Sequence, residues 1–422
     1  MVEAKPKILF VNNLYAPNVI GGAERSVQFL AEALAAKGYP VTVLTLAPDA
    51  NQPEPHEHHE RHKHREHHEH NGVTVRTLPL RNLYWAFHNK DNPALLKPWW
   101  HVIDSYNLLM GRALSQVLAE EQPGIVHSTV LTGFSVAAWT AIKRHNLPLV
   151  HTLRDYYLMC PRSKMFRRGK NCVGQCWDCK LYAAPRQALS NQVDAVIGVS
   201  RFVLERHLNA GYFATSPLKA VIHNAYQADT PPVPLRNSST LRLGYLGRLE
   251  ANKGIEPLLE TITPMQDVAL YVAGRGHESF ETNLKRRFAA PHIHYLGFIP
   301  PAALFAKIDV LVVPSLWHEP LGRIVFEAYA HGLPVIATDR GGISEIVSPG
   351  ETGFLFDPDA PEADERSLER TIATFKQHAD TKVMREHALA KAKDFLPHVI
   401  VEQHEALYER VLASPETATN KA

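Results

Sequence analysis

The chain has 422 residues, which is more than one ordinary hydrophobic core organises, so two domains are expected. Apolar residues make up 45% and charged residues 21%, and the net charge of +2 argues against a general nucleic-acid binder. No apolar run reaches the roughly 20 residues that a bilayer span needs, and residues 2–7 lead straight into a strand without a signal-peptide pattern. We therefore expect a cytoplasmic protein.

The first elements predict a βαβ unit. Ile8–Val11 is a buried strand, residues 23–37 carry apolar side chains at helical spacing, and residues 41–46 form the next strand. This order indicates a parallel, doubly wound sheet. Between the first strand and the helix, Gly21 and Gly22 would let the backbone approach a ligand closely, although a plain strand-to-helix turn also explains them.

Residues 51–70 break this regularity with His, Glu, Arg and Lys, including eight histidines between His56 and His70. A segment of this composition buries little apolar surface, so we expect a mobile loop. It could bind Zn²⁺ or Ni²⁺ adventitiously. Strand character returns over residues 73–78.

The stretch from residue 83 to residue 106 is aromatic and irregular. Exposed aromatic side chains of this kind are typical of a binding or membrane-contacting surface, and a small separate core would produce the same pattern.

Two further strands end in polar residues. His127 closes the strand over residues 125–127, and Arg154 and Asp155 follow the strand Leu149–Leu153. Because ligands bind at the carboxyl ends of parallel strands, these three side chains are candidates for a functional site.

A cysteine-containing loop spans residues 160–179. Its spacing allows a four-cysteine zinc site, reduced structural cysteines or a labile disulfide, whereas an iron–sulfur cluster does not fit this position in the chain. Basic residues between positions 162 and 170 form either a solvated surface or a contact for an anionic acceptor or phospholipid head groups. The candidate ligands of the structural zinc are Cys160, Cys172, Cys176 and Cys179.

The sequence predicts three regions along the chain. Residues 1–225 form an acceptor-side domain, and a linker rich in Pro, Ser and Thr over residues 229–239 leads into a second parallel-sheet domain over residues 226–393. Residues 394–422 are expected to form a helix packing back on the first domain, followed by a disordered tail. Two such domains facing each other would place a ligand cleft at both switch points.

Two loops of the second domain carry glycines at strand ends. Gly247 to Gly254 includes Arg248 and Lys253, which suit a diphosphate. The run 274–276 resembles the start of a dinucleotide fingerprint, but it lacks the third glycine, which weakens a dehydrogenase interpretation. Asp357-Pro358-Asp359 matches the D-x-D pattern of metal-dependent sugar transferases, yet its prolines favour a turn.

The stretch from Pro314 to Gly332 is the most informative part of the chain. A buried strand runs into a loop carrying Glu319, and a helix beginning near Leu321 carries Glu327. At about 1.5 Å per residue, the eight-residue step covers roughly 12 Å, the length of the polar middle of a nucleotide sugar. The helix N-terminus offers amides to an anion and each carboxylate accepts hydrogen bonds from hydroxyls, so a diphosphate flanked by two sugars fits.

Together these motifs resemble the retaining glycosyltransferases of family 4 (glycosyl transferases group 1), which have the GT-B fold of two facing Rossmann-like domains. The resemblance covers nearly the whole chain, and the E-x7-E signature is its most specific part. The motifs that carry it are Gly21-Gly22-Ala23-Glu24, Gly247-Arg248 with Lys253, Ala273-Gly274-Arg275-Gly276, Tyr295-Leu296-Gly297-Phe298, and Glu319-Pro320-Leu321-Gly322 through Glu327-Ala328.

The resemblance implies a role for each matching residue. Arg248 and Lys253 would bind the donor diphosphate and stabilise the leaving group without a metal. Glu319 would hold the donor sugar hydroxyls and Glu327 the ribose. The other implied donor-binding residues are loop and helix-start positions around the diphosphate and base: Gly21, Gly22, Gly247, Gly274, Arg275, Gly297, Phe298, Leu321, Gly322 and Arg323.

One position departs from the family pattern. Many members carry a histidine in a Thr-x-His-Asp context, where this chain has Arg154 between Thr152 and Asp155. Arginine stays protonated and is no general base, so it would clamp a phosphate or an acidic acceptor. His127 or Asp155 would then contact the acceptor hydroxyl, and the departing phosphate could take the proton.

These inferences predict a retaining glycosyltransferase that moves a sugar from a UDP- or GDP-sugar to a glycan or lipid-linked acceptor in cell-surface polysaccharide biosynthesis. It would need no cofactor for catalysis, would bind no nucleic acid, and could make peripheral contact at the inner membrane face. Two alternatives stay open. One is a glycoside hydrolase or phosphorylase, for which Glu319 and Glu327 are spaced too widely. The other is a nucleotide-sugar-binding protein without turnover.

Overall fold

The computed structural model describes residues 5–18, 21–48, 67–87, 94–226, 228–234, 240–378 and 381–414. The chain divides into two compact units. Unit 1 comprises Met1–Met165, Gly174–Ala225 and Pro397–Ala422. Unit 2 comprises Phe166–Val173 and Tyr226–Leu396. A short segment from the middle of the cysteine-containing loop therefore belongs to unit 2.

Strands and helices alternate through the first half of the described chain. Their bounds are β1 (Ile8–Val11), α1 (Gly22–Ala36), β2 (Val41–Ala47), β3 (His67–His70), β4 (Val73–Pro79), α2 (Lys97–Ser105), α3 (Leu108–Glu121), β5 (Ile125–Ser128), α4 (Ala137–Arg144), β6 (Leu149–Leu153), β7 (Phe166–Arg167), β8 (Lys170–Asn171), α5 (Trp177–Ser190), β9 (Ala195–Gly198), α6 (Arg201–Asn209) and β10 (Leu218–Val221).

The second half repeats the alternation and ends in helices. Its elements are β11 (Leu241–Leu246), α7 (Ile255–Ile262), β12 (Val268–Ala273), α8 (Glu278–Arg287), β13 (Ile293–Gly297), α9 (Pro301–Phe305), β14 (Val310–Val313), α10 (Arg323–Ala330), β15 (Val335–Thr338), β16 (Gly353–Phe356), α11 (Leu368–His378), α12 (Thr381–Ala392) and α13 (Pro397–Leu412).

Eight strands of unit 1 form one sheet in the order β10-β9-β6-β5-β1-β2-β4-β3. Neighbouring strands are parallel except β3 and β4, which are antiparallel. Because β1 pairs with β2 on one side and with β5 on the other, the strand order reverses between β1 and β5. Loops at the carboxyl ends of these strands are therefore positioned for ligand binding.

The last helix of the chain completes the core of unit 1. Ile400, Leu407 and Tyr408 of α13 are buried in one hydrophobic cluster with Ile8 and Phe10 of β1. Positions 400, 407 and 408 lie on one face of an α-helix, so this face covers the sheet.

Unit 2 contains a six-stranded parallel sheet in the order β13-β12-β11-β14-β15-β16. Its strand order reverses between β11 and β14, where Leu243 pairs with Val310. The loops that follow these two strands are those singled out in the sequence, the Arg248–Lys253 loop and the Glu319 loop. A separate two-stranded antiparallel hairpin, β7–β8, also belongs to unit 2.

The structure corrects the prediction for the histidine-rich segment. His67–His70 form β3, which pairs antiparallel with β4, so the predicted mobile loop is wrong for these four residues. Their side chains alternate between exposed and half-buried, as an edge strand allows. Residues 51–66 lie outside the described residues.

One helix boundary differs from the sequence-based prediction. The helix expected near Leu321 begins at Arg323, because Gly322 adopts a left-handed conformation with φ 80° at its N-cap.

Across the described residues, every helix is either too short or too polar to cross a bilayer.

Candidate active site

Glu319 lies in the loop after β14, beside the switch point of the unit 2 sheet. Its Oε1 accepts hydrogen bonds from Lys253 Nζ and from Ser315 Oγ, both at 2.8 Å. Burial alone would raise the pKa of this carboxyl, but the Lys253 ammonium and the hydrogen bonds hold the pKa of Glu319 below its ordinary value. Glu319 is therefore an ionised hydrogen-bond acceptor at neutral pH.

Lys253 reaches Glu319 from a 3-10 turn after β11. Its ammonium also lies 5.3 Å from the centroid of the Trp317 ring, within cation–π range. The following Gly254 has φ 70°, and a Cβ there would lie 1.8 Å from the carbonyl oxygen of Pro314. Only glycine lets the Lys253 turn pack this closely against the Glu319 loop.

A glycine pair after β15 supports the Glu319 loop from the other side. The amide of Gly342 donates to the carbonyl oxygen of Glu319 at 2.8 Å. Gly341 has φ 62°, and a Cβ on it would lie 2.5 Å from that same oxygen. Backbone packing therefore fixes the position of Glu319 in addition to its ion pair.

Helix α10 begins directly after this loop and carries the second glutamate. Glu327 Oε1 lies 2.6 Å from Arg323 Nε, one turn earlier on the helix. Leu321 is buried, and the amides at the start of α10 are the donors that a helix leaves without intrahelical partners. The structure thus places Leu321, Gly322, Arg323 and Glu327 on one connected segment with Glu319.

The loops after β11, β12 and β13 are joined by backbone hydrogen bonds. The amide of Gly247 donates to Ala273 at 3.1 Å, and the amide of Gly274 donates to Gly297 at 2.7 Å. Arg248 stands at this edge with its side chain 61% exposed and 3.1 Å from Glu250. Arg275 and Phe298 are also exposed there, so the predicted diphosphate and base loops lie on neighbouring strand ends.

In unit 1, the paired glycines lie near a buried carboxylate. The amide of Gly21 donates to Glu24 Oε2 at 2.9 Å, which fixes the start of α1, where Gly22 is the first residue. Burial raises the pKa of Asp155 to about 6, and the Glu24 carboxylate contributes to that rise. Gly21, Gly22 and Asp155 therefore belong to one region of unit 1.

Arg154 and His127 lie in different surroundings within unit 1. The Arg154 guanidinium donates to the side chain of Asn224. His127 is fully buried, with Nδ1 2.7 Å from the Tyr408 hydroxyl and Nε2 2.7 Å from Thr152 Oγ1. Burial, followed by the nearby His404 and Arg154, lowers the pKa of His127 well below its ordinary value. Its ring atoms are used inside the core, which argues against an acceptor-binding role.

Two family models cover the loops described above. Residues 21–224 match the Glycosyl transferase 4-like domain, and residues 240–374 match Glycosyl transferases group 1. A Klebsiella pneumoniae protein described as an uncharacterized 42.6 kDa protein in the cps region is 34% identical over 340 residues, which cover 80% of this chain and 87% of that protein. The chain belongs to the glycosyltransferases.

Solved structures place this glycosyltransferase in the GT-B fold. Sucrose-phosphate synthase from Thermosynechococcus elongatus superposes with a TM-score of 0.74 at 20% identity, covering 97% of this chain and 100% of that one. Anabaena Alr3699/HepE in complex with UDP and glucose gives 0.66 at 19% identity, covering 96% and 99%. The predicted fold, family resemblance and transferase class are confirmed.

Glycosyltransferases of this kind generally need no metal for catalysis. The possible structural zinc is not supported, because the four cysteines do not form one ligand group among the described residues. Cys176, Asp178 and Cys179 offer ligand atoms within 4.8 Å of one another, whereas Cys172 belongs to the unit 2 segment. Burial and the neighbouring Cys160 thiol raise the pKa of Cys179 to about 12.

Sequence reasoning missed several residues that surround Glu319 in the candidate site. Ser315 and Trp317 surround Glu319, and the pair Gly341–Gly342 holds its backbone. Ser315 could have been found from its position four residues before Glu319 in the same stretch. The only sequence signal for the glycine pair is that adjacent glycines allow two backbone segments to approach closely.

Proposed function

We propose that this glycosyltransferase moves a sugar, with retention at the anomeric carbon, from a nucleotide diphosphate sugar to a glycan or lipid-linked acceptor in cell-surface polysaccharide biosynthesis. The observation that carries the proposal is the Glu319–Lys253 pair at the switch point of unit 2. It sets an ionised acceptor for sugar hydroxyls beside a cation for phosphate, at the place where parallel sheets bind ligands.

The donor roles follow from the chemistry of the assembled groups. Lys253 and the exposed Arg248 are suited to the diphosphate and to the charge that develops on it as the glycosidic bond breaks. Glu319 is suited to accept hydrogen bonds from the sugar, and Glu327 from the ribose. Amides of residues 321–323 lie between the two glutamates, and the exposed Phe298 offers a face to the base.

UDP-sugars are the first donors to test. Anabaena Alr3699/HepE holds UDP and glucose in its solved structure, and its fold is similar to that of this chain. GDP- and ADP-sugars are the comparison donors.

On the acceptor side, Asp155 is a better candidate than His127. A carboxyl with a pKa of about 6 is largely ionised at neutral pH and can orient or deprotonate a hydroxyl. Arg154 stays cationic and would hold a phosphate or carboxylate of the acceptor. The Klebsiella pneumoniae relative of the cps region supports polysaccharide biosynthesis as the context.

An exposed apolar surface on unit 1 favours a lipid-linked acceptor. Trp99 and Val102 of α2 and Trp177 and Leu181 of α5 have exposed side chains, with Trp177 at 78%. The two helices pack together, since the rings of His101 of α2 and Tyr182 of α5 lie 5.8 Å apart.

The exposed cations Lys97, Arg162 and Lys180 accompany these helices. Burial, followed by the nearby Arg186 and Arg162, lowers the pKa of His101 to about 4, so Arg162 lies close to α2. Aromatic rings with neighbouring cations suit the surface of an anionic membrane.

The transfer reaction tests the proposal directly. Purified protein is incubated with UDP-glucose, UDP-galactose, GDP-mannose or ADP-glucose and a panel of polyprenyl-linked and free oligosaccharides, and products are identified by mass spectrometry and NMR. We expect one nucleotide released per sugar transferred and an anomeric configuration that matches the donor. Inverted product would reject retention, and sugar released from a simple glycoside without nucleotide would favour a hydrolase.

Vesicle flotation tests the membrane surface. Vesicles containing phosphatidylglycerol should bind the protein, while Trp99→Gln with Trp177→Gln should reduce binding several-fold with unchanged melting temperature. If the double variant binds these vesicles as well as wild type does, this surface is not the membrane contact. If wild type binds neutral phosphatidylcholine equally well, the exposed cations do not contribute to binding.

A further inference from the structure

The hairpin β7–β8 comes from the cysteine-containing loop of the first half of the chain, yet it groups with unit 2. It lies between two segments of unit 1 in the sequence, Met1–Met165 and Gly174–Ala225. Its strands are only two residues long, so the hairpin itself supplies little stability. Its position is better explained by the contacts of its last strand residue, Asn171.

Both ends of the Asn171 side-chain amide contact the Glu319 loop. Nδ2 donates to the carbonyl oxygen of Leu316 at 2.7 Å, and Oδ1 accepts from the amide of His318 at 2.9 Å. These two backbone groups flank Trp317. One planar amide therefore bonds the loop as a neighbouring strand would, across 145 to 147 residues of sequence.

The rest of the loop is held from within the second half of the chain. The carbonyl oxygen of Asn252 accepts from the amides of Leu316 and Trp317 at 3.0 and 3.3 Å. Arg340 Nη1 donates to the Leu316 carbonyl at 2.7 Å. Asn171 thus adds the contact to the His318 amide, directly before Glu319.

The loop that Asn171 holds also carries the groups that face Lys253. The Trp317 ring receives the Lys253 ammonium at 5.3 Å, and Glu319 pairs with the same ammonium at 2.8 Å. A shift of residues 316–318 would move both partners of Lys253 together. We propose that Asn171 is a positioning residue for the donor site, and that the hairpin supplies this residue to unit 2.

The inference rests on the proposed function, since it assigns the loop to the donor. Asn171→Ala removes both hydrogen bonds, and Asn171→Asp keeps the acceptor for His318 while losing the donor to Leu316. Asn283→Ala is the matched control, because Asn283 of unit 2 accepts a surface hydrogen bond from Arg286 at 3.2 Å, outside the site.

Two readouts separate positioning from folding. Hydrogen–deuterium exchange of the peptide covering residues 315–320 should be faster in Asn171→Ala than in wild type. The melting temperature should change too little for global unfolding to explain the faster exchange. The Kd for UDP and UDP-glucose, measured by calorimetry, and the donor KM should rise at least about tenfold, because two hydrogen bonds of ordinary net strength are lost, each of which can change binding by up to about tenfold. Asn171→Asp should be intermediate, Asn283→Ala should match wild type, and acceptor KM should be unchanged.

The outcomes distinguish this inference from the proposed function. If wild type and Asn171→Ala bind UDP-glucose equally well, the role of Asn171 is overturned and the proposed function stands. Unchanged exchange at residues 315–320 also overturns the role of Asn171. Wild type that binds none of the donor panel overturns the donor assignment, and the role of Asn171 falls with it.

Discussion

Glu319 and Lys253 carry most of the argument at the level of single residues. Their side chains are 16% and 20% exposed, so the pair is largely withdrawn from water. A carboxylate so placed keeps its charge only because a cation and hydroxyl are held against it. The same arrangement leaves Glu319 able to accept hydrogen bonds from a ligand without first being deprotonated.

Removing the Lys253 charge should impair transfer. Lys253→Met should lower kcat/KM by about 10² to 10³, because the cation proposed to stabilise the leaving diphosphate is lost. Lys285→Met is the matched control, since Lys285 pairs with Glu281 at 2.7 Å on the exposed surface of α8. Steady-state kinetics with the donor found for wild type checks this, and equal losses in the two variants would contradict it.

Asp155 is expected to make activity depend on pH. Because burial raises its pKa to about 6, the ionised form that we propose acts at the acceptor hydroxyl accumulates as pH rises through 6. Its folded pKa exceeds the unfolded value, so the stabilising effect of the protonated form is present below about pH 4 and is lost as pH rises to about 6.

We expect log kcat to rise with pH up to about 6 in wild type. In Asp155→Asn activity should be low and this limb absent, while stability at pH 7 should not fall, because a costly buried charge is removed. Asp229→Asn, at an exposed site, should keep the wild-type profile. An unaltered acid limb in Asp155→Asn would exclude this residue as its source.

At the level of elements, strands and helices with strong periodicity were predictable. Helix α1 and the strands Ile8–Val11 and Leu149–Leu153 form where the pattern indicates, because each buries a continuous apolar face. Helix α2 was missed, since its apolar residues Trp99 and Val102 are exposed rather than directed to the core. The hairpin was missed because the loop that its Asn171 contacts lies more than 140 residues away in the sequence.

Helices α2 and α5 are joined by a buried ion pair that sequence could not reveal. Arg186 Nη2 lies 3.4 Å from Asp104 Oδ2, with both side chains fully buried. Arg186 also donates to the carbonyl oxygen of Tyr157 at 2.5 Å and stacks on its ring. Burial raises the pKa of Asp104 to about 7 despite the attraction of Arg186.

Breaking this pair from one side should be costly. Arg186→Met should lower the free energy of unfolding by about 3 to 5 kcal/mol, because it leaves Asp104 buried without its cation. The double variant with Asp104→Asn should recover part of that loss, and Arg286→Met at the surface should change stability by less than about 0.5 kcal/mol. Chemical denaturation checks all three variants, and an unchanged free energy of unfolding in Arg186→Met would contradict this prediction.

At the level of the whole molecule, the position of an element in the sequence does not determine which unit the element joins. The end of the chain, α13, joins unit 1, whose first strand is formed some 390 residues earlier. The proximity of Lys253 and Glu319 was predictable because both follow strand ends of one unit. Asn171, Gly341 and the burial of His127 were not, because they depend on which segments meet after folding.

The dependence of unit 1 on α13 is testable. Leu407→Ala should lower stability by about 2 to 5 kcal/mol, as expected for a cavity in a core. Tyr408→Phe should cost only about 1 kcal/mol, since it loses the hydrogen bond to His127 and keeps the ring. Val383→Ala, at an exposed position on α12, is the control. Equal effects of Leu407→Ala and Val383→Ala would show that α13 does not complete the core.

The most direct test of the central claim is donor binding to the full chain, with no acceptor present. Thermal-shift and calorimetric titrations would compare UDP-glucose, UDP-galactose, GDP-mannose and ADP-glucose on wild type, Glu319→Gln and, as the control, Glu386→Gln at an exposed position of α12. The account predicts that one nucleotide sugar stabilises wild type, by about 2.7 kcal/mol at 100 times its Kd, and that Glu319→Gln loses most of this effect while Glu386→Gln keeps it. Equal stabilisation of wild type and Glu319→Gln, or none by any donor, would contradict it.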